Sequence, residues 1–323
     1  MKTIAVLTSG GDAPGMNACI RAVVRTGLYH GLDVIGVRRG YDGLIDGDFM
    51  FMNSHSVSNI IQRGGTILKT ARSERFKTKE GLQEAAKKAK EAKIEGFVMI
   101  GGDGTFKGAD AFNKVSGIPC MGAPGTIDND LFGTDYTIGY DTALNTVIDA
   151  VDKIRDTAAS HNRLFFIEVM GRDAGYIALH GGIGGGAEEI LIPETKTDIK
   201  ELIKRLEEGW KRHKSSVIII VAEGEKEGGA IEVAKKVKEK FDHYDTRVTI
   251  IGHMQRGGSP SCFDRVLASR LGVAATEGLI NGRKNESVGI VHNQIVYTPL
   301  SEARKHKVDV GEDLIRIGRI LSS

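Results

Sequence analysis

The sequence predicts an α/β protein built on largely parallel sheets, and three observations carry that expectation. Short β-branched runs alternate with helical patterns from the first residue, as strand–helix–strand units do. Most of the runs read as continuous apolar segments, which puts helices over both faces of a sheet. Glycine is abundant (42 residues) and proline scarce (6) among 323, a balance that suits many tight strand-to-helix turns and not a disordered or fibrous chain. At this length two domains, or one large one, are expected. Glycine-rich loops crowd the chain before Asp130, whereas a second set of polar strand ends falls between Met170 and Arg256, so a two-lobed chain with its site in the cleft is the expected organisation.

The predicted strands cover residues 4–8, 33–37, 96–100, 120–123, 164–169, 190–192, 217–221, 248–251 and 288–291. After the first comes Ser9-Gly10-Gly11-Asp12-Ala13-Pro14-Gly15, a turn into a helix over 16–29 with Ile20, Val23, Val24 and Leu28 on its apolar side. Glycines before a helix N-terminus make a ready phosphate site, although many α/β proteins need such a turn merely to reverse direction. Residues 41–48 are glycine-rich without an apparent helical stripe and read as a loop over the site. Arg63-Gly64-Gly65-Thr66 and Thr70-Ala71-Arg72-Ser73 follow in a polar loop suited to anion contacts or to solvent. Residues 79–93 form a lysine-rich outer helix, and 141–158 a helix with Leu144, Val147, Ile148, Val151 and Ile154 on one face, capped by Asp141 and Thr142.

Two loops hold the chemistry. The run 96–100 breaks into Gly101-Gly102-Asp103-Gly104-Thr105, a turn that calls for glycine and exposes backbone N–H groups. The run 120–123 leads to Pro124-Gly125-Thr126-Ile127-Asp128-Asn129-Asp130, which offers two carboxylates and a hydroxyl. One loop supplies amides for phosphate and the other acids, a pattern that points to phosphoryl transfer: a nucleotide over the glycines, Mg²⁺ near Asp103, and Asp128 taking a proton from an attacking hydroxyl. Three later strands end beside glycine in Met170-Gly171-Arg172, Glu223-Gly224 and Gly252-His253-Met254-Gln255-Arg256-Gly257-Gly258. Ligands of open α/β sheets bind at such carboxyl ends.

Charge and cysteine content narrow the partners. With 44 basic and 42 acidic residues the formal charge is +2, so no global field draws the chain to nucleic acid or a membrane. Cys19, Cys120 and Cys262 lie far apart, without metal-ligand spacing, and read as reduced thiols. The first strand starts at once, with no leader-like segment and no run of membrane-spanning length, so a soluble cytosolic protein is expected.

Taken together, Leu7-Thr8-Ser9-Gly10-Gly11-Asp12-Ala13-Pro14-Gly15-Met16-Asn17, the Gly101 to Thr105 and Pro124 to Asp130 motifs, Met170-Gly171-Arg172 and Gly252-His253-Met254-Gln255-Arg256-Gly257-Gly258-Ser259-Pro260 resemble the bacterial ATP-dependent 6-phosphofructokinase family. Gly-Gly-Asp-Gly-Thr alone also occurs in NAD and lipid kinases; the five motifs in this order are specific. The resemblance implies two Rossmann-like three-layer αβα domains with mainly parallel sheets and the active site between them. A larger ATP-binding domain would comprise 1–139 plus 257–304, and a smaller fructose 6-phosphate domain 140–256 plus 305–323. It further implies a glycolytic, allosteric, cytoplasmic homotetramer that uses Mg²⁺.

By the same resemblance Gly11, Arg72, Ser73, Gly102, Asp103, Gly104 and Thr105 would bind ATP, with Asp103 on Mg²⁺. Asp128 would be the base, helped by Thr126, while Arg172 and Arg72 offset charge on the transferred group. The sugar phosphate would meet Thr126, Ile127, Asp128, Met170, Gly171, Arg172, Glu223, His253, Met254, Gln255 and Arg256, with Arg163 and Arg247 reaching in from a neighbouring subunit. Arg21, Arg25, Arg155, Gly186, Glu188, Arg212 and Lys214 match an effector site for ADP and phosphoenolpyruvate. Ser54 and Asn59 depart from frequent family residues near that site, and Ser73 replaces a frequent cysteine. Pyrophosphate-dependent relatives place an acid where Gly104 stands and a lysine where Gly125 stands, so two glycines favour ATP over pyrophosphate. Two other classes compete: a silent nucleotide-binding regulator, and a dinucleotide oxidoreductase, against which the missing Gly-x-Gly-x-x-Gly counts.

Overall fold

The structure, a computed structural model, describes residues 1–305 and 310–321. The chain begins β1 (Thr3–Thr8), α1 (Met16–Tyr29), β2 (Asp33–Val37), α2 (Gly40–Asp46), β3 (Phe49–Met52), α3 (Lys79–Glu91), β4 (Gly96–Gly101), α4 (Asp103–Ser116) and β5 (Cys120–Pro124). It continues through α5 (Tyr140–Ala159), β6 (Arg163–Val169), α6 (Tyr176–Gly184), β7 (Glu189–Leu191), α7 (Ile199–Lys211), β8 (Ser216–Ala222), α8 (Gly229–Lys238) and β9 (Asp245–Ile250). Last come α9 (Cys262–Ile280), β10 (Glu286–Val291), β11 (Gln294–Pro299) and α10 (Glu312–Leu321).

Two compact units result, one from residues 1–142 with 256–305 and one from 143–255 with 310–321. The first carries a seven-stranded sheet ordered β11-β10-β5-β4-β1-β2-β3. Only the outer strands β3 and β11 run antiparallel to their neighbours. The second carries four parallel strands ordered β7-β8-β6-β9. Chain order reverses direction across the first sheet at β1 and β4. That is the switch point where an open α/β sheet leaves a crevice.

Apolar sequence explains the layers. All six residues of β4 are buried, as a strand covered on both faces requires. Beneath one face Phe97, Phe106 and Phe112 are fully buried, the Phe97 and Phe112 rings meeting edge to face at 5.3 Å. In the second unit Leu164, Phe166, Ile219, Val221 and Val233 form a separate core. Close approach of α1 and α9 depends on Gly272, where a Cβ would lie 2.7 Å from the Ala22 side chain and 2.8 Å from the Cys19 carbonyl oxygen.

Four expectations change. Residues 40–46 are helical rather than loop, because Tyr41, Leu44 and Ile45 recur at helical spacing and are buried, a short stripe that the glycines obscure. β3 and β11 are strands that the alternation did not reveal, since each adds on antiparallel at a sheet edge and is only partly buried. Asp141 and Thr142 are not the cap of α5 but lie in its first turn; the Asp264 carboxylate accepts from the Gly139 and Thr142 N–H groups instead (both 2.8 Å). Gly101 and Gly102 are not in the left-handed region. Space demands glycine at 101, where a Cβ would fall 2.2 Å from Thr105 Oγ1 and 2.5 Å from the Ser9 carbonyl oxygen.

Among the described residues no helix is long and apolar enough to cross a membrane. All three cysteines are free, and burial pushes the Cys19 thiol up to about 12. Truncating a core ring tests the packing argument: Phe166→Ala is expected to cost about 3–5 kcal/mol of unfolding free energy, read by urea denaturation, because the cavity adds to lost transfer energy.

Candidate active site

Register builds the first half of the site. Thr8 pairs with Ile100, and Ile100 with Ala123, so β1, β4 and β5 end level with one another. Their three following turns are then bonded together: Ser9 N–H donates to the Ile100 carbonyl (3.0 Å), Thr105 Oγ1 to the Ser9 carbonyl (3.0 Å), and Gly125 N–H to the Gly101 carbonyl (3.0 Å). Asp103, Gly104 and Thr105 open α4, whose N-terminal dipole favours an anion. A side chain at Gly104 would meet nothing within 4 Å, whereas one at Gly125 would crowd Ile100 and Met16 at 3.0 and 3.2 Å.

The loop holding Arg72 and Ser73 lies against the β1 turn. Asn17 donates to the carbonyls of Arg63 and Gly64 and accepts from Ile67 N–H, while Thr70 Oγ1 donates to the Gly10 carbonyl (2.7 Å). Arg72 is exposed, and Ser73 donates its hydroxyl to Asp42. Arg256 belongs to this unit too: its guanidinium donates to the Asp12 carbonyl (3.0 Å) and would lie 2.7 Å from a Cβ at Gly11. Gly11, Arg72, Ser73, Gly102 to Thr105, and Arg256 are thus distributed over adjoining turns of one unit.

The acidic loop after β5 is buried. Thr126 and Asp128 are 8% and 5% exposed, Ile127 fully enclosed, and Asp128 N–H donates to Thr126 Oγ1 (3.2 Å). Asp130, equally buried, pairs with Lys305 (3.7 Å), whose N–H also donates to Asp103 Oδ1 (3.0 Å). Burial first, and then the Asp128 charge, raise the Asp130 carboxyl above the usual carboxylate range, against the opposing pull of Lys305; Asp103 adds a smaller push. Three carboxylates therefore share one field. Sequence reasoning counted Asp130 only as the second carboxylate of its loop and missed Lys305, which lies about two hundred residues from Asp103 with no local pattern around it.

Asp103 fits a magnesium ion in part. Its other oxygen pairs with Lys107 (2.6 Å), and among the described residues no group of three or more His, Cys, Asp or Glu could hold a metal. A hard ion that keeps its waters and shares phosphate oxygens needs only one or two carboxylates, which this loop has.

In the second unit the strand ends are level as well, Val169 beside Ala222 and Glu168 beside Ile250. Glu223 Oε1 accepts from Gly171 N–H (3.3 Å) and Arg172 N–H (2.7 Å), tying down a turn in which both residues have positive φ. Gln255 is fully buried and accepts from Met170 N–H (2.9 Å), so it is a strut beneath Met170, while His253 and Met254 are exposed. Arg163 and Arg247 both pair with Asp245, at the opposite ends of β6 and β9 from Met170.

The effector candidates divide between the units. Arg21 and Arg25 lie one turn apart on α1, and burial, followed by the Arg25 charge, lowers the Arg21 pKa. In the second unit Glu188 pairs with Lys214 (3.3 Å) and Arg155 (3.7 Å), and Arg155 donates to the Gly186 carbonyl (2.7 Å). Glu188, Arg212 and Lys214 line a cavity of about 390 Å³ together with Arg205 and Arg319.

Comparison with known proteins agrees with this architecture. The sequence model of the family described as Phosphofructokinase matches residues 3–279. The chain belongs to the phosphofructokinase family. A relative from Cytophaga hutchinsonii named ATP-dependent 6-phosphofructokinase is 56% identical, over all of this chain and 98% of its own. Phosphofructokinase from Saccharomyces cerevisiae superposes with a TM-score of 0.88 at 36% identity, covering the whole of this chain, which spans 48% of the yeast chain. A pyrophosphate-dependent phosphofructokinase from Marinobacter aquaeolei has a TM-score of 0.85 at 23% identity, over all of this chain and 92% of its own, a likeness of fold alone.

The raised Asp130 carboxyl makes a stability prediction for this family member. A carboxyl with a higher pKa folded than unfolded favours folding at low pH and penalises it as pH rises through that window. Asp130→Asn is therefore expected to raise the thermal midpoint near pH 7, with the gain shrinking toward about pH 4. Differential scanning fluorimetry at the two pH values measures it.

Proposed function

We propose that this phosphofructokinase moves the terminal phosphoryl group of ATP to the 1-hydroxyl of fructose 6-phosphate, giving fructose 1,6-bisphosphate and ADP. The observation that carries this is the direct bond from Gly125 N–H to the Gly101 carbonyl, which sets the Asp128 loop beside the N-terminus of α4.

In this mechanism the ATP phosphates lie over the turns at Gly11 and at Gly102 to Thr105, with Arg72 and Ser73 beside them. Asp103 would hold Mg²⁺, which when bound would supply positive charge to offset that of the phosphates. Asp128 takes the proton of the sugar 1-hydroxyl as that oxygen bonds to the terminal phosphorus, and the bond to the ADP oxygen breaks. Thr126 steadies the loop through its hydroxyl, which already accepts from Asp128 N–H. Arg172 and Arg72 offset the charge spread over the transferred group. Fructose 6-phosphate binding is assigned to Met170, Gly171, Arg172, Glu223, His253, Met254 and Arg256, with Ile127 and Gln255 acting as buried supports.

The 6-phosphate is assigned to Arg163 and Arg247 of a neighbouring subunit of a homotetramer. Support comes from strand geometry: at ~3.3 Å per residue, the start of β6 at Arg163 stands roughly 20 Å from Met170. A phosphate held at Met170 to Arg172 is out of reach of Arg163 in its own chain. Regulation by ADP and phosphoenolpyruvate is assigned to the cationic groups Arg21, Arg25, Arg155, Arg212 and Lys214 with Glu188 and Gly186.

Turnover is expected to require ATP, fructose 6-phosphate and Mg²⁺ together; activity with pyrophosphate but not ATP would overturn the donor assignment. Asp128→Ser should cut kcat by about 10²-fold or more while the affinity for ATP stays close to wild type. Near-normal kcat in that variant removes Asp128 from the mechanism. The open space at Gly104 predicts that Gly104→Asp folds normally yet binds ATP at least about tenfold more weakly, since the new charge would face phosphate oxygens. Isothermal titration calorimetry with a non-hydrolysable ATP analogue reads both affinities.

A further inference from the structure

Asp264 is fully buried at the start of α9, and the proposed mechanism gives it no part. Its carboxylate is turned away from its own helix. Oδ1 accepts from Gly139 N–H (2.8 Å), and Oδ2 accepts from both Thr142 N–H (2.8 Å) and Thr142 Oγ1 (2.5 Å). Thr142 Oγ1 in turn accepts from Ser261 N–H (3.0 Å), and Ser261 Oγ, which caps α9, donates to Asp141 (2.5 Å). Each helix start thus fixes the other.

Gly139 closes the segment that returns from the acidic loop. Ile138 N–H donates to the Pro124 carbonyl (2.9 Å), Thr137 Oγ1 to the Thr126 carbonyl (2.6 Å), and Thr137 N–H to Asn129 Oδ1 (2.8 Å). Residues 124, 126 and 129 flank Asp128 on both sides. The same junction touches the β1 turn: a Cβ at Gly139 would lie 2.7 Å from that of Ala13, and one at Gly15 would lie 2.7 Å from Ile138 and 3.6 Å from Asp264. Gly139 has a φ of 101° and Gly15 of 107°, so both positions combine left-handed backbone with no room for a side chain. Burying a carboxylate here is costly, and an apolar residue of similar size would spare that cost. Three charge-assisted bonds, one to Gly139 at the end of the loop and two to Thr142 in the first turn of α5, give the charge a use.

We propose that Asp264 is a positioning residue for phosphoryl transfer: through Gly139 and Thr142 it holds the 126–139 loop, and with it Asp128, in register with the β1 and β4 turns. It touches no reacting atom. This rests on the kinase reading above for its catalytic consequence, but the loop-ordering part stands independently.

The test compares Asp264→Ala, Asp264→Asn and Thr78→Ala in the full chain, Thr78 being the distant cap of α3 that accepts from Gly81 N–H. Asp264→Ala is expected to lower kcat by about 10²-fold, the scale of a misplaced catalytic group, with the affinity for a non-hydrolysable ATP analogue within about threefold of wild type. Hydrogen exchange should rise in the peptide spanning 126–142 and not elsewhere. Asp264→Asn keeps an acceptor for Gly139 but sets an amide N–H against Thr142 N–H, so it should fall between Asp264→Ala and wild type in both readouts. Thr78→Ala should lose thermal stability without changing kcat or exchange at 126–142. A kcat within about threefold of wild type in Asp264→Ala overturns the proposal, as does a fall in kcat without increased exchange at 126–142, or one matched by equal loss of ATP-analogue affinity. If Asp264→Ala does not fold, Asp264→Asn decides on the same terms. A wild-type enzyme without fructose 6-phosphate-dependent turnover would refute the kinase reading instead, leaving the exchange comparison to judge the loop.

Discussion

Parallel register between β1, β4 and β5 is the constraint on which the rest of the first unit depends. Because Thr8, Ile100 and Ala123 are level, the chain must turn three times within a few ångströms, and each turn has only backbone and small side chains with which to do it. Gly101 is needed for closeness to Thr105 and Ser9, and the hydrogen bonds linking the turns leave a helix N-terminus and an acidic loop on the same rim. A nucleotide's phosphates and an acid that takes a proton need that adjacency. Shifting any one strand by a residue would separate the turns and exchange which side chains meet the helices on either face of the sheet.

Carboxylate burial is the second recurring device. Asp128, Asp130 and Asp264 are each at least about nine-tenths enclosed, a position few acids occupy without partners. Asp264 spends its charge on backbone N–H groups, and burial still raises its pKa above the ordinary range despite the opposing bonds from Thr142 and Gly139. Asp130 has Lys305 on one side and a like charge on the other. Such groups subtract from stability, as functional sites often do, and the apolar layers around Phe97, Phe106 and Phe112 supply the surplus that tolerates them.

Legibility in the sequence followed from locality. Buried parallel strands such as β4 announce themselves as unbroken apolar runs, and glycine-rich turns after them name the strand ends, so the α/β class and the two reactive loops were readable. Where a residue's partner is distant in sequence, the reading failed. Nothing near Thr142 signals that its N–H is met by Asp264, and nothing near Asp103 signals Lys305. Edge strands β3 and β11 gain their hydrogen bonds from a sheet that only the fold supplies, and α2 hides three buried side chains among glycines. The resemblance names Gln255 among the sugar-phosphate contacts, and no local pattern signals that its side chain is enclosed and accepts from Met170 N–H.

Asp128 is proposed to direct the terminal phosphoryl group of ATP to the sugar 1-hydroxyl and not to water. Phosphorus NMR of a completed reaction addresses it without reference to rates. One new phosphate ester on the primary carbon at position 1 of fructose 6-phosphate is expected for every ADP formed. Inorganic phosphate appearing in step with ADP while the sugar phosphate stays unchanged would contradict it.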